Sequence, residues 1–264
     1  MVKNNRYSQI IEAIFFKTYK IGLIEIPFSR EQIELTANEL NIKLPKNLGD
    51  ILYSFRYRTP LPEKIVNTAP KEFEWIIRPA GRALYKIVLT RQTHFKPAEH
   101  LTETKIPDAT PGIISKYAMN DEQALLAKVR FNRLIDIFTG LTCYSLQSHL
   151  RTTIRDMGQV ETDEIYIGID KRGAHYILPV QAKGGTDKLG VVQIEQDFAI
   201  GAIKFPRLIC KPIATQFMPN GAIVLFEFES FEGEITIVSE KHYRLVLPNE
   251  LSDKEIEMYK TRTG

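Results

Sequence analysis

Two polar groupings interrupt apolar runs near the middle of the chain. Val160, Ile165, Ile167 and Ile169 frame Glu161 and Asp163, while Ile177, Leu178 and Val180 lead into Gln181-Ala182-Lys183. Both runs have strand composition, and Lys171-Arg172-Gly173 between them is turn chemistry, with Gly173 free to take a positive φ. Side chains alternate along a strand, so Glu161 and Asp163 share one face with Cβ atoms ~6–7 Å apart. Gln181 and Lys183 share a face in the same way. A register that joins the two faces collects two carboxylates, an amide oxygen and an ammonium. Such a set can hold a divalent metal beside a lysine, on strands that keep it rigid.

This arrangement resembles the active site of the PD-(D/E)XK nuclease superfamily, an acid on one strand and (E/D/Q)-x-K on the next. Asp163 matches the first acid, Gln181-Ala182-Lys183 the second element, and Glu161 the flanking acid of E-x-D variants. The chain departs from the pattern twice. No proline precedes Asp163, and Gln181 stands where a carboxylate is usual, as it does among Mrr-type and other restriction nucleases. The resemblance implies Mg²⁺ as cofactor, held by Asp163 with the Gln181 carbonyl oxygen and the Ala182 main-chain carbonyl, and Glu161 supporting a second ion. It implies that Lys183 orients or deprotonates the attacking water and that Glu122, on the preceding helix, adds a further acid. It also implies that Gln181→Glu restores the usual ligand and stays active.

The elements around the motif carry the resemblance further. Leu125, Leu126, Val129, Leu134, Ile135 and Phe138 mark one helix from Asp121 to Thr139, with Asn120 and Gln123 as its cap and Gly140 closing it. Cys143 to Arg151 reads as a strand, and the motif hairpin follows. Gly184-Gly185 is a break before a helix from Leu189 to Ile203 that carries Gln193 and Gln196. Leu208 to Met218, Ala222 to Phe228, Ile235 to Val238 and His242 to Leu247 read as strands. From Asp121 the order is helix, three strands, helix, strand, the αβββαβ succession of a restriction-endonuclease-like core with a mixed sheet.

Ahead of this core, Ile10, Ile11, Ile14, Phe15 and Tyr19 have helical spacing, and Pro27 breaks the chain. Ser29 with Gln32 is a capping-box signature for a helix through Leu40. Pro45 opens another helix over about Lys46 to Phe55. Residues 73–77 and 83–89 form a hairpin about Pro79-Ala80-Gly81. That is winged-helix order, with the second helix directed at a major groove. Lys46, Asn47, Arg56 and Arg58 fall on that helix and its exit, and Arg78 and Arg82 on the wing. Double-stranded DNA is the expected partner; the bland reading puts Tyr53 and Phe55 in a core and makes the module a protein-interaction surface. His94 to Pro111, with three prolines, reads as a linker. The expected division is 1–110 as a winged-helix-like DNA-binding domain and 111–264 as a nuclease domain.

Composition sets looser bounds. A hydrophobic content of 44% with 25% charged residues is globular, and a formal charge of +3 permits a nucleic-acid partner without demanding one. No apolar run reaches the ~20 residues of a membrane helix. Two cysteines, Cys143 and Cys210, make neither a disulfide framework nor a zinc pattern, and a cytoplasmic protein is expected. Cys143 has no paired His, which excludes a cysteine nucleophile; His149 and His175 stand alone and read as structural, and Gln193 as a structural or DNA-contacting residue. From spacing alone, Glu161, Asp163 and Lys183 read equally as a solvated strand end. The leading expectation is a Mg²⁺-dependent endonuclease, a sequence-specific type II restriction enzyme acting on double-stranded DNA as a homodimer. A modification-dependent or repair nuclease, and a non-catalytic winged-helix regulator, are the alternatives.

Overall fold

Ile10, Ile11, Ile14 and Phe15 fall on the buried side of the first helix, α1 (Arg6–Thr18). The computed structural model in which they do so describes residues 6–57, 59–117, 122–185 and 187–262. Pro27 does not break the chain; it lies within β1 (Glu25–Ser29), tolerated because the sheet order β1-β3-β2 leaves β1 at an edge. Ser29 then caps α2 (Arg30–Glu39): its Oγ accepts the Gln32 N–H at 3.2 Å, and Gln32 Oε1 accepts the Ser29 N–H at 2.7 Å. The next helix, α3 (Gly49–Tyr57), begins later than Lys46, because Asn47 Oδ1 accepts the Gly49 N–H at 3.1 Å and sets the start there.

A short α4 (Glu63–Val66) precedes the hairpin of β2 (Glu74–Pro79) and β3 (Leu84–Thr90), in which Ile77 lies opposite Ile87. Phe15, Ile33, Ile51, Ile65, Trp75, Ile77 and Ile87 make one core among these elements. Tyr53 is exposed while Phe55 is buried, so the two aromatics of α3 divide between surface and core. A two-residue strand, β4 (His94–Phe95), ends the segment.

The chain forms two compact units. One comprises Met1–Phe95 with Arg151–Val160 and Gly190–Val192; the other comprises Lys96–Leu150, Glu161–Leu189 and Gln193–Gly264. The stretch expected as a linker is not one. Within it β5 (Glu103–Pro107) pairs in parallel with the last strand of the large sheet, and Glu103 is held there by Arg244.

After α5 (Gly112–Tyr117), the single helix expected from Asp121 to Thr139 is two, α6 (Glu122–Phe131) and α7 (Leu134–Thr139). The break has a local cause. Buried Asn132 accepts the Ala109 N–H and donates to Asp108, Thr110 and the Lys128 carbonyl, and Arg133 takes a left-handed φ of 50°. The expected cap at Asn120 lies outside the described residues.

Then come β6 (Thr142–Ile154), β7 (Gly158–Ile169), β8 (His175–Lys183), the short β9 (Leu189–Gly190) and α8 (Val191–Lys204). The strand expected over Leu208 to Met218 is split into β10 (Ile209–Cys210) and β11 (Ile213–Phe217) at Pro212, which has no N–H for a ladder. Conversely β12 (Ile223–Phe231) pairs with one long strand, β13 (Glu234–Val246), where two short ones are expected; a shift in pairing at Glu227/Phe228 absorbs the irregularity. A 3-10 turn at Pro248–Glu250 and α9 (Asp253–Thr261), capped by Ser252 with Glu255, complete the described chain.

The result is a mixed α/β fold on a large mixed sheet, ordered β5-β13-β12-β11-β8-β7-β6 with β10 beside β8. β8 is antiparallel to β7 and parallel to β11. Leu125, Leu126, Val129, Leu134 and Ile135 of α6 and α7 pack with Leu178, Val180 and Ala182. By the alternation of β8, Ile177 and Gln181 face the opposite side, where α8 lies. Among the described residues no helix is long and apolar enough to cross a membrane.

Gly201 permits that approach of α8. A Cβ there would sit 2.2 Å from Cys210 Sγ and 2.8 Å from its Cβ. Gly201→Ala is therefore expected to destabilise the protein by about 1–3 kcal/mol through overpacking, read as a lower urea midpoint at unchanged slope.

Candidate metal and catalytic site

Tyr166 pairs with Leu178 and Glu164 with Val180, and the recorded β7–β8 register runs no further than that pair. There the ladder opens and side chains take over. The Ala182 N–H donates to Asp163 Oδ2 at 2.8 Å, and the Thr162 hydroxyl donates to the Val180 carbonyl at 3.2 Å. In a strand, the N–H and C=O of one residue point to the same edge. The Ala182 carbonyl is thus directed to the edge where Asp163 lies. Asp163 keeps further lone pairs, since a carboxylate offers about four acceptor positions.

Gln181 is 2% exposed. Its Nε2 donates to Asp197 Oδ1 at 3.0 Å and to the Glu161 main-chain carbonyl at 3.3 Å, and its Oε1 accepts from Gln193 Nε2 at 3.3 Å. Gln193 and Asp197 are four apart on α8 and so share a helix face. Lys183, largely buried, places Nζ 3.5 Å from Glu122 Oε1 at the start of α6. Burial pushes the Glu122 carboxyl above its usual range; Lys183 opposes this, and Asp163 and Asp187 add to it. Gln216 of β11 fixes the loop after β8 by donating to the carbonyls of Gly185 at 3.2 Å and Asp187 at 3.3 Å.

The expected residues are therefore only partly gathered. Asp163, Ala182, Gln181, Lys183 and Glu122 come to the open end of the ladder. Glu161 contributes its main-chain carbonyl to Gln181, while its carboxylate lies 3.6 Å from His149 Nδ1. His149 in turn sits 3.0 Å from Gln123 Nε2 and has a φ of 50° within β6, a conformation rare for residues other than glycine. Among the described residues no three His, Cys, Asp or Glu side chains form a metal cage. The donors present are one carboxylate, a main-chain carbonyl and an amide oxygen with one recorded donor.

Asp197 was not singled out by the sequence, although Gln193 was. The available signal was an acid one turn beyond Gln193, on the same helix face. Asp197 is fully buried, and its Oδ2 has no hydrogen-bond partner. Burial holds its carboxyl well above the usual range, while the Gln181 amide and the Thr162 hydroxyl pull it down and the Asp163 charge pushes it up. Burial also pushes the Cys143 thiol up to about 11, aided by Asp136, which is the opposite of an activated nucleophile.

In the first unit, Lys46 and Arg82 are exposed. Asn47 commits its side chain to α3, accepting from the Gly49 N–H and donating to Asp50. The Arg56 guanidinium lies 5.5 Å over the Tyr85 ring, with Nε and Nη2 buried and without hydrogen-bond partners. Arg78 lies opposite Lys86, whose ammonium is 2.9 Å from Glu25. Arg58 lies outside the described residues.

No family model matches the chain, and neither does any curated protein or solved structure.

The raised Asp197 carboxyl gives a pH prediction. A group that holds its proton more tightly when folded adds stability below its unfolded pKa of ~3.9, and that contribution is lost as pH rises. Asp197→Asn cannot ionise. It is expected to match wild type near pH 4 and to become progressively more stable than wild type toward pH 7.5, with a slope of at most about 1.4 kcal/mol per pH unit. Urea denaturation at several pH values reads this directly; parallel curves would mean that Asp197 does not carry the burden.

Proposed function

We propose that the chain is a Mg²⁺-dependent endonuclease of the PD-(D/E)XK kind, hydrolysing phosphodiester bonds in double-stranded DNA. The observation that carries this is the open end of the β7–β8 ladder. There Asp163 and the Ala182 main chain face each other, with Lys183 on the same strand end. The succession α6, β6, β7, β8, α8, β11 supports it, with the helices on opposite faces of the sheet.

The donors suit Mg²⁺, which takes oxygen ligands and keeps several waters, so one carboxylate and two neutral carbonyl oxygens suffice from the protein. Asp163, Ala182 and Gln181 would hold it. When bound, the ion supplies charge stabilisation at the phosphoryl oxygens and a more acidic water. Lys183 has three N–H donors and no acceptor, so its ammonium holds the attacking water or a phosphate oxygen in line. Glu122, beside it, has its proton affinity raised by burial and is the better placed acceptor for the proton that water loses. Water oxygen bonds to phosphorus, and the P–O bond to the leaving strand breaks.

The first unit is the proposed DNA reader. Its order α1, β1, α2, α3, β2, β3, with the sheet β1-β3-β2, supports a winged helix. A reader joined to a cutter fits a sequence-specific type II restriction enzyme, and a homodimer would cut both strands of a pseudo-twofold duplex.

Incubating the purified protein with supercoiled plasmid and Mg²⁺ tests the reading. Asp163→Ala and Lys183→Ala are each expected to lower cleavage at least about 10²-fold while keeping DNA affinity, since both act on charge developed in the transition state. Full cleavage by either variant would place the active site elsewhere. On the reader, Lys46→Ala with Arg82→Ala is expected to weaken DNA binding and reduce the salt slope by about two units, one per phosphate contact. Arg56→Ala is expected to cost stability as well, because its stem and guanidinium pack on Tyr85. Isotherms at two salt concentrations, with thermal melts alongside, separate the two effects.

A further inference from the structure

One buried carboxylate has no part in the scheme above. Asp197 is wholly enclosed, makes a 3.0 Å hydrogen bond to Gln181 Nε2, and leaves Oδ2 bare. An enclosed carboxylate with an unmatched oxygen costs free energy that an apolar side chain would not. Its one strong hydrogen bond goes to the residue that departs from the family's usual carboxylate.

The orientation of that amide does not depend on the charge of Asp197. Nε2 also faces the Glu161 main-chain carbonyl at 3.3 Å, and a carbonyl only accepts. The NH₂ end is therefore on that side, and Oε1 is turned to Gln193. A glutamine χ3 is otherwise a broad, roughly two-fold rotor. One face of α8 thus grips both ends of the amide.

We propose that Asp197 is a positioning residue, whose hydrogen bond to Nε2 holds the Gln181 carbonyl oxygen in place as a neutral ligand of the metal site. The proposal rests on the nuclease reading of Asp163 and Lys183. It accounts for the glutamine: a Glu at 181 would set two carboxylates about as close as the present 3.0 Å contact, and one would have to stay protonated. Amide at 181 and carboxylate at 197 are a matched pair. The tolerance of Gln181→Glu that the family pattern implies is accordingly reversed.

The test compares wild type with Asp197→Asn, which keeps an acceptor oxygen, and Asp197→Leu, which is of similar size and has none. The Gln181 side-chain NH₂ resonances are followed by ¹⁵N NMR with and without Mg²⁺, and plasmid cleavage is measured against Mg²⁺ concentration. In wild type and Asp197→Asn the NH₂ pair is expected to be well resolved and slow to exchange with water, with similar Mg²⁺ dependence. In Asp197→Leu the pair should collapse toward free-amide behaviour, and half-saturating Mg²⁺ should rise about tenfold or more, as for other outer partners of metal ligands. Unchanged Gln181 resonances in Asp197→Leu overturn the proposal, and so does an Asp197→Asn as defective as the Leu variant.

If Asp197→Leu loses the fold, Gln181→Glu carries the test. It should lose Mg²⁺ affinity beside Asp197 and regain part of it beside Asp197→Asn, whose amide can donate back; no regain in the double variant overturns the proposal. A wild type that cleaves no DNA sinks the nuclease reading alone, because the Gln181 resonances still decide the role of Asp197.

Discussion

The hydrogen bond from the Ala182 N–H to Asp163 Oδ2 is the interaction on which the rest of the site depends. A strand inside a sheet normally spends its N–H and C=O on its neighbour, and a buried group left without a partner costs about 1–3 kcal/mol. Here the neighbouring main chain is withdrawn past Glu164↔Val180, and a side chain replaces it. The substitution is asymmetric. A carboxylate can satisfy the N–H of Ala182 but not its carbonyl, since it has no proton to give when ionised. The opened ladder therefore sets a main-chain carbonyl toward the edge where a carboxylate lies.

The Asp163 and Asp187 charges raise the Glu122 carboxyl, the Asp163 charge raises that of Asp197, and Lys183 opposes both shifts. Asp197 is enclosed and is met by a neutral amide rather than by a cation. Contrast Glu164 of β7, equally enclosed on the α6 side of the sheet. Its Oε2, like Asp197 Oδ2, has no hydrogen-bond partner, but its Oε1 is gripped by Arg130 at 2.6 and 3.0 Å and by Ser145 at 2.5 Å, an arrangement that matches charge with charge. One acid is paired with a cation and the other is met by a neutral amide. Excess negative charge at a fixed, partly buried point is stored affinity for a cation or for protons.

Much of this was legible in the sequence because it followed from periodicity. The period-2 pattern of 160–169 and 177–183 put Glu161 with Asp163 and Gln181 with Lys183 on shared faces, and the Ser29–Gln32 signature located the start of α2. What failed, failed for tertiary reasons. The α6–α7 break depends on Asn132 fastening the 108–110 loop, which lies more than twenty residues earlier in the chain. β5 was hidden because prolines flank it and its partner, β13, is at the far end of the chain. Glu161 looked equivalent to Asp163 by alternation, yet its carboxylate turns to His149, a residue that only the pairing of β6 with β7 brings near. Asp197 escaped notice because burial, the property that makes it unusual, does not distinguish it in sequence from Glu195 two residues earlier.

The arrangement also explains why both flanking helices matter to a site built on strands. The β7–β8 edge alone supplies Asp163, Ala182 and Lys183, a carboxylate, a carbonyl and an ammonium, with nothing to hold Gln181. Glu122 of α6 meets Lys183 at the strand end, and α8 brings Gln193 and Asp197 to Gln181. Each helix is seated by an apolar face that ordinary core packing enforces, Leu125, Leu126 and Val129 for α6 and the close approach at Gly201 for α8. The polar residues gathered there are thus positioned by apolar contacts several residues away. A shift of either helix by a fraction of an ångström would be felt first at the hydrogen bonds of Gln181 and Lys183, because interiors are close-packed and transmit displacement rather than absorbing it.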